Sequence, residues 1–577
     1  AMVLRLVLLW LVVCALGSVE EHRVKSLPGW KGPLPSRMYS GYFNVANESS
    51  TSSSQRWLMH YWFIESERDP SADPVLLWMQ GGPGASGLSG LLQENGPLAV
   101  NDNSFGHGDE LIVFYNQYTW TELSSVLFIE SPCGVGYSLC EDPPECPVWD
   151  DDVTAQMNFR LLKQFYTHYP EYQTNDFYIV GESYGGIYAP MLAHEILQDN
   201  TSPSIPLAGV AVGDGCTGME AEGGCSPDYM HWYVEFLFGH GQFSPQTYGQ
   251  VQRVCGEELR TGTWTTNQPC RRAIKQMGSE LGGFYVYDLY DECIGRHDLR
   301  RLSRGRSDNN GTSQLIGGAL NDYVCGGERA TIAWLNDDRV KAALNVRLNV
   351  TWQEHDGWGD HYRSTETDVR PYYHEMLSKG VRVLIYYGDV DTDVPYNGGE
   401  YWTRRMGYLV KEHWKPWTTD GKQQTAGHVV RYDAPSAFDY LTVRGSGHMV
   451  PQFQPVSAFV MLRQWLADQP WPPYTGKAPK PLLSSHGHAD DEQDEQDLAD
   501  SLGIGVCTGC YGRVRSRRKP LRQTNQQPPA PPSRAAVLSA SALQSSLDAA
   551  LARIRELEEQ LRHCNSNKSD SSQVLYG

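Results

Sequence analysis

Short apolar runs rich in β-branched and aromatic residues recur along the chain as far as Thr475. They are Trp57–Ile64, Val75–Met79, Val126–Ile129, Phe177–Val180, Leu207–Val212, Val381–Tyr387 and Tyr440–Val443. Hydrophobicity that runs on without alternating marks strands covered on both faces. Each run gives way to Gly, Asp, Glu or Pro, so each is predicted to end in a loop at its carboxyl end. Between several of them the apolar spacing becomes helical, over Asp151–Thr167 and Gly186–Gln198. Strands alternating with helices predict an α/β fold, with a mostly parallel central sheet flanked by helices.

The alternation fails between Asp214 and about Lys379. Six Cys lie there, from Cys216 to Cys325, among many Gly and scattered charges. This predicts a Cys-containing cap or insertion over 214–379, with one helical stretch at Thr331–Leu344. After Trp471-Pro472-Pro473 the pattern is lost: Asp490–Asp500 carries seven acidic residues, Arg513–Arg522 six basic ones, and Pro528–Pro532 is Pro-rich. Residues 476–542 therefore form a low-complexity linker, whose basic stretch is either a processing site or simply solvated. Over 543–564, Leu547, Ile554 and Leu561 share one heptad position and Leu543, Ala550, Leu557 and Cys564 the other. That pattern fits a short coiled coil or an amphipathic helix, with 565–577 as a disordered tail. At the other end, Arg5 precedes an apolar run from Leu6 to Leu16, then Gly17 and Ser18. This is the shape of a secretory signal peptide over 1–18. No later run reaches the roughly 18 apolar residues of a spanning helix, so no transmembrane anchor is expected.

Composition narrows the classes. Of 577 residues 40 % are apolar, with 17 Trp, 32 Tyr and 15 Phe, which excludes disorder throughout. The 48 Lys and Arg against 68 Asp and Glu leave a net charge of −20, which argues against nucleic acid as a partner. Thirteen Cys, all but Cys14 behind the signal peptide, indicate an oxidising compartment; the odd number leaves at least one unpaired unless it pairs between chains, and Cys14 is expected to leave with the signal peptide. Cys507-Thr508-Gly509-Cys510 fits a small local disulfide better than zinc, because no second ligand pair accompanies it. Asn47, Asn200, Asn310 and Asn349 open Asn-x-Ser/Thr triplets and are the candidate glycosylation sites, with Asn567 a weaker one in the tail.

The chemistry starts at Gly181-Glu182-Ser183-Tyr184-Gly185, the single Gly-x-Ser-x-Gly. It follows one predicted strand directly and precedes a helix, the setting of a nucleophile elbow. A neutral serine needs a base. Among 17 His, His448 in Gly445-Ser446-Gly447-His448 is the one placed directly after a predicted core strand. A carboxylate must then fix the imidazole tautomer, and Gly388-Asp389-Val390-Asp391-Thr392-Asp393-Val394-Pro395 offers three. The Gly-x-x-Asp-x-x-x-Pro spacing selects Asp391; Asp389 is better placed to bind loop backbone, and Asp393 ranks third. Two N–H groups must face the developing oxyanion. Tyr184, after the nucleophile, supplies one, and Gly82, in the glycine loop after Val75–Met79, is the choice for the other. The chain order Ser, Asp, His is that of α/β-hydrolases.

Five segments, Trp78–Gly84, Glu130–Ser138, Gly181–Gly186, Tyr387–Pro395 and Gly445–Pro451, together resemble the serine carboxypeptidase family, in its order and from about Gly29 to Trp471. The resemblance implies an α/β-hydrolase fold that removes single residues from the C-termini of peptides and proteins, with no cofactor and no metal. It carries Ser183, Asp391 and His448 onto the triad, Gly82 and Tyr184 onto the oxyanion hole, and Trp78, Gln80, Gly81, Glu94 and Glu182 onto the positions that bind the substrate's terminal carboxylate. Two adjacent glutamates share a proton most readily at mildly acidic pH, so an acidic optimum for peptides is expected. Acyl transfer from an activated ester to an alcohol is the alternative activity; a noncatalytic carrier is disfavoured by the complete triad. The resemblance also implies a lysosomal, vacuolar or extracellular location, and a homodimer stands as a candidate assembly. Two departures stand out. Gln80 replaces an Asn common in the family. Ala85 replaces a Cys, which removes one end of a disulfide whose usual partner corresponds to Cys325, leaving Cys293 as a partner for it. Cys216 with Cys225 and Cys255 with Cys270 are local pair candidates, though spacing alone does not fix connectivity.

Overall fold

The structure, a computed structural model, describes residues 20–46, 56–105, 111–141, 146, 148–291, 327–353, 362–421 and 424–475. Contacts divide the chain into Ala1–Lys477 and Ala478–Gly577; everything that follows belongs to the first unit. The signal peptide, the linker, the heptad segment, the tail, Asn47, Asn310, Asn567, Cys293, Cys325, Cys507, Cys510 and Cys564 lie outside the described residues.

Twelve strands form one sheet: β1 (Arg23–Val24), β2 (Met38–Asn44), β3 (Trp57–Ile64), β4 (Val75–Met79), β5 (Ser125–Ile129), β6 (Leu139–Cys140), β7 (Phe177–Glu182), β8 (Leu207–Gly213), β9 (Arg382–Gly388), β10 (Leu409–Thr418), β11 (Thr425–Asp433) and β12 (Phe438–Val443). Their order is β1-β2-β3-β5-β4-β7-β8-β9-β12-β11-β10, with β6 beside β3. The six central strands, β5 to β12, run parallel, and the outer ones pair antiparallel. Between them lie the helices α1 (Gly87–Gln93), α2 (Asp151–His168), α3 (Gly185–Gln198), α4 (Tyr229–Gly239), α5 (Pro245–Cys255), α6 (Gln268–Leu281), α7 (Gly327–Leu335), α8 (Arg370–Ser378), α9 (Tyr396–Arg404) and α10 (Pro455–Leu466).

The unbroken apolar runs have a direct structural cause. Along β4, Val75, Leu77 and Met79 join one core and Leu76 and Trp78 the other; β7 divides in the same way, Phe177 and Ile179 against Tyr178 and Val180. Successive strand side chains point to opposite faces, and here both faces are covered. The first core takes α2, α3 and α8, the second α1, α7 and α10. Five strands had no continuous run to betray them, the two-residue β1 and β6 among them. In β10, exposed and half-buried residues alternate through Leu409-Val410-Lys411-Glu412, as expected of an edge strand that carries charge; β11 pairs with it, and β2 was likewise not anticipated.

The 214–379 segment is not cap throughout. Helices α4, α5 and α6 build a separate apolar cluster with Leu289 and Val390. By contrast Val369, Tyr373, Met376 and Leu377 of α8 and its N-cap pack in the main core, so the segment returns to the sheet before residue 379. The predicted helix Thr331–Leu344 is two pieces, Gly327–Leu335 and Asp338–Ala343, because the Asp337 side chain caps the second. Cys216–Cys225 and Cys255–Cys270 are disulfides, as is Cys140–Cys146, which was not anticipated. Cys133 is a buried free thiol.

One buried charge organises the loop after β5. Glu130, fully buried, accepts hydrogen bonds from Trp352 Nε1 (2.7 Å), the Tyr137 N–H (2.9 Å) and the Ser86 hydroxyl, and lies 2.8 Å from His60 Nδ1. Gly136, at φ 54°, passes so close to this carboxylate that a Cβ would collide with it. Removing the acceptor leaves the buried Trp352 and Tyr137 N–H groups without a partner and strips the Ser86 hydroxyl of its acceptor and His60 of its ion-pair partner. Glu130→Ala is therefore expected to cost about 3–5 kcal/mol in equilibrium urea unfolding; a loss below about 1 kcal/mol, within the range of an ordinary surface change, would show the network to be incidental.

Candidate active site

Strand register places the chemistry. Glu182 at the end of β7 lies opposite Gly213 of β8, Gly213 opposite Tyr386 of β9, and Gly388 opposite Val443 of β12. Ser183, Asp214, the Asp389–Asp393 loop and the loop carrying His448 therefore leave the carboxyl edge of four neighbouring parallel strands. Met79, at the end of β4, lies opposite Gly181 and leads into Gln80–Gly84. Such an edge is where α/β sheets bind ligands.

The turn at Ser183 is strained. Its φ is 60°, a left-handed conformation that costs a non-glycine residue about 1–3 kcal/mol. Backbone bonds hold it: the Ser183 N–H donates to Gly213 O (3.0 Å), and Ser183 O accepts from Gly186 N (2.9 Å) and Cys216 N (2.9 Å). The glycines are required by close approach. A Cβ on Gly185 would lie 2.7 Å from Met79 O, and one on Gly81 would lie 2.5 Å from Tyr184 N. The glycine loop after β4, including Gly82 at φ 107°, is thus pressed against the elbow. Half-buried Ser183 makes no hydrogen bond to His448 among the described residues; such bonds are often long before substrate binds.

Asp391 and His448 meet. His448 Nδ1 lies 2.7 Å from Asp391 Oδ2, with both residues buried. The Asp391 carboxylate also accepts from Asp393 N (2.8 Å) and Val394 N (3.1 Å), which fixes it in its loop. Asp389 accepts from Gly445 N (2.6 Å) and so ties the two loops together, while Asp393 makes no bond to the imidazole. Burial pulls the imidazole pKa down, but the charge and hydrogen bond of Asp391, with smaller contributions from Asp393 and Glu94, leave it raised. The His448 N–H donates to Tyr287 O (2.7 Å), and the Tyr287 ring stacks on the imidazole at 5.0 Å between centroids.

Beside the elbow sits a second acidic group. Trp78 Nε1 donates to Gln80 Oε1 (2.8 Å). An indole N–H can only donate, so the Gln80 amide nitrogen must face the other way; it donates to Glu182 Oε1 (2.7 Å) and Glu94 Oε1 (3.2 Å). The longer Gln side chain thus reaches both carboxyl groups. Glu94 and Glu182 are buried, and the second oxygen of each has no partner among the described residues. Burial, then the neighbouring Glu94, push the Glu182 carboxyl well above its usual range; burial also raises Glu94. Two buried carboxyl groups so placed favour holding a proton between them.

Two neighbours of the site went unpredicted. Asp214 follows a strand between two glycines, as legible a signal as that of Ser183. Tyr287 belongs to the insertion, where no periodicity points at it. Of the candidate glycosylation sites, Asn200 and Asn349 are exposed.

The sheet topology, the elbow and the loops at the strand ends define an α/β-hydrolase. The serine carboxypeptidase family model matches residues 28–468, and the chain belongs to that family; it is a serine-type carboxypeptidase. Serine carboxypeptidase 1 of Hordeum vulgare is 30 % identical over 493 residues, covering 78 % of this chain and 93 % of its own. The lysosomal protective protein of Mus musculus is 30 % identical over 478 residues, covering 78 % and 95 %. The crystal structure of the prohormone-processing carboxypeptidase Kex1Δp from Saccharomyces cerevisiae shares the fold, with a TM-score of 0.59 at 18 % identity, over 78 % of this chain and 96 % of that one.

The balance at His448 is testable without substrate. Because Asp391 is what outweighs burial, Asp391→Asn should drop the imidazole below its ordinary value. Titration by NMR, with the resonance assigned through His448→Gln, checks this; an unmoved titration would mean that Asp391 does not govern the imidazole.

Proposed function

We propose that the enzyme hydrolyses the C-terminal peptide bond of peptides and proteins through an acyl-enzyme. The observation that carries this reading is the buried Glu94–Glu182 pair, bridged by Gln80 next to Ser183. Buried and bridged by one amide, the two acids do not both ionise, so the pair offers hydrogen-bond donors rather than negative charge. A protonated pair, with Gln80 and Trp78 holding it and the Gly81 backbone beside it, can donate hydrogen bonds to a substrate carboxylate and so sets the scissile bond one residue from the chain end.

Ser183 Oγ attacks the carbonyl carbon while His448 Nε2 takes its proton. Asp391 holds Nδ1–H and stabilises the imidazolium that forms. The N–H groups of Gly82 and Tyr184 receive the oxyanion. The imidazolium returns the proton to the departing amine, the C–N bond breaks and the terminal amino acid leaves. Water then attacks the ester with His448 again as base. An alcohol in place of that water would give the acyltransferase reaction. The three disulfides fit a secretory-pathway location, lysosomal, vacuolar or extracellular.

The pH dependence follows in sign. The Glu pair binds an anion only while it holds its proton, and its raised pKa keeps that form through mildly acidic pH; as pH rises through it, KM for peptides climbs. His448 must be neutral, which sets the limit on the acid side. Glu94 contributes to the raised imidazole pKa, so the proton on the Glu pair also eases His448 toward its basic form.

Release of the terminal residue from N-blocked dipeptides, followed from about pH 4 to pH 8, is the test. Ser183→Ala should lower kcat on the order of 10⁶-fold. Glu182→Gln, a permanent donor, should flatten the rise in KM at higher pH and leave ester hydrolysis unchanged; an unaltered peptide profile would refute the role of the pair. Acyl transfer from an ester without any release of amino acid would favour the acyltransferase.

A further inference from the structure

Asp214 is fully buried and directly follows β8. It is held in place at both ends. Its backbone N–H donates to Tyr386 O (2.9 Å), and its Oδ1 accepts from Gly388 N (2.9 Å). Its Oδ2 is buried and meets no donor among the described residues. The acidic neighbour of its carboxyl group is Asp391: one polar atom from each of Asp214, Asp391 and His448 lies within 4.8 Å of the others.

Two carboxyl groups at this separation, away from water, do not both ionise. The donors decide which keeps its charge. Asp391 accepts from Asp393 N, Val394 N and His448 Nδ1, all of which favour the anion. Asp214 accepts from one N–H and has a free oxygen. The proton therefore belongs on Asp214, and Asp391 retains lone-pair capacity to accept a fourth bond. We propose that Asp214 is a neutral carboxylic acid whose Oδ2–H donates to the Asp391 carboxylate, making it a positioning residue for Asp391 and through it for His448.

Burial, then the Asp391 charge, push the Asp214 carboxyl well above its ordinary range against the opposing Gly388 N–H. The other ionisable groups facing it do not reverse this. Tyr386 and Tyr387 on β9 are buried and kept neutral. Glu182 from β7 and Asp393 from the Asp391 loop are acids. Only His448 can carry positive charge, and it is bonded to Asp391. A cation placed among the three would have to part the 2.7 Å contact between Nδ1 and Oδ2; a proton on Asp214 leaves it intact.

The proposal rests on the Ser183–His448–Asp391 reading and is tested apart from it. Hydrolysis of an N-blocked amino-acid ester is measured against pH for the wild type, Asp214→Asn and Asp214→Ala, with Ser183→Ala alongside. An amide is a neutral donor in the same place. Asp214→Asn should therefore keep kcat close to wild type and leave the acidic limb of kcat/KM, set by His448, where it was. Asp214→Ala removes the donor and should lower kcat about 10–100-fold, the scale for partners that orient a working group, with KM little changed. In the infrared difference spectrum, wild type minus Asp214→Asn, one protonated-carboxyl band should be lost in the variant, while the band of the Glu94–Glu182 pair is common to both and cancels. If Asp214 were ionised, Asp214→Asn would delete a charge near the imidazole and move the acidic limb down by about one unit or more, with no band lost. Either result overturns the proposal. Continued turnover by Ser183→Ala would count against the nucleophile alone, since the infrared band reports the Asp214 proton whatever Ser183 does.

Discussion

The parallel register of the central strands is the constraint on which everything else depends. Parallel neighbours that pair without offset end together, so whatever follows them is gathered at one edge. Here Ser183, Asp214, Asp391 and His448 lie 31, 177 and 57 residues apart in turn along the chain yet issue from four adjacent strand ends. The backbone ladder, not contacts among the side chains, does the gathering. The strain at Ser183 can persist because Gly213, Gly186 and Cys216 hold its peptide groups on both sides.

The second theme is acidity without exposure. Glu94, Glu182, Asp214 and Asp391 are all buried within one neighbourhood, and an arrangement with four negative charges would not survive the cost of desolvation. In the proposed states the groups divide into two pairs, each relieved by a proton, with an amide or backbone N–H deciding where charge remains; one proton is proposed to meet the substrate and the other to stay within the protein. The overall charge of −20 therefore overstates the charge that the edge of the sheet presents.

Much of this was legible in the sequence, for a definable reason. Strands covered on both faces leave unbroken apolar runs, and the residues that work at their ends sit beside glycines that no other residue could replace. Ser183 and His448 carry both marks, and the loop spacing singled out Asp391. Edge strands such as β10 face water, so their composition resembles that of loops. Tyr287 and the Cys140–Cys146 pair are set by tertiary neighbours rather than by local pattern. Helix α8 falls within the 214–379 stretch where the strand–helix alternation fails; only its packing against the main core shows which layer it belongs to.

Tyr287 lies in the segment after α6, stacked on the His448 ring with 29° between the planes and accepting its backbone N–H. A segment outside the sheet is thus also the roof over the base. Exchanging it for another sequence would not leave the base untouched, because any tilt of that ring is transmitted to the imidazole it covers.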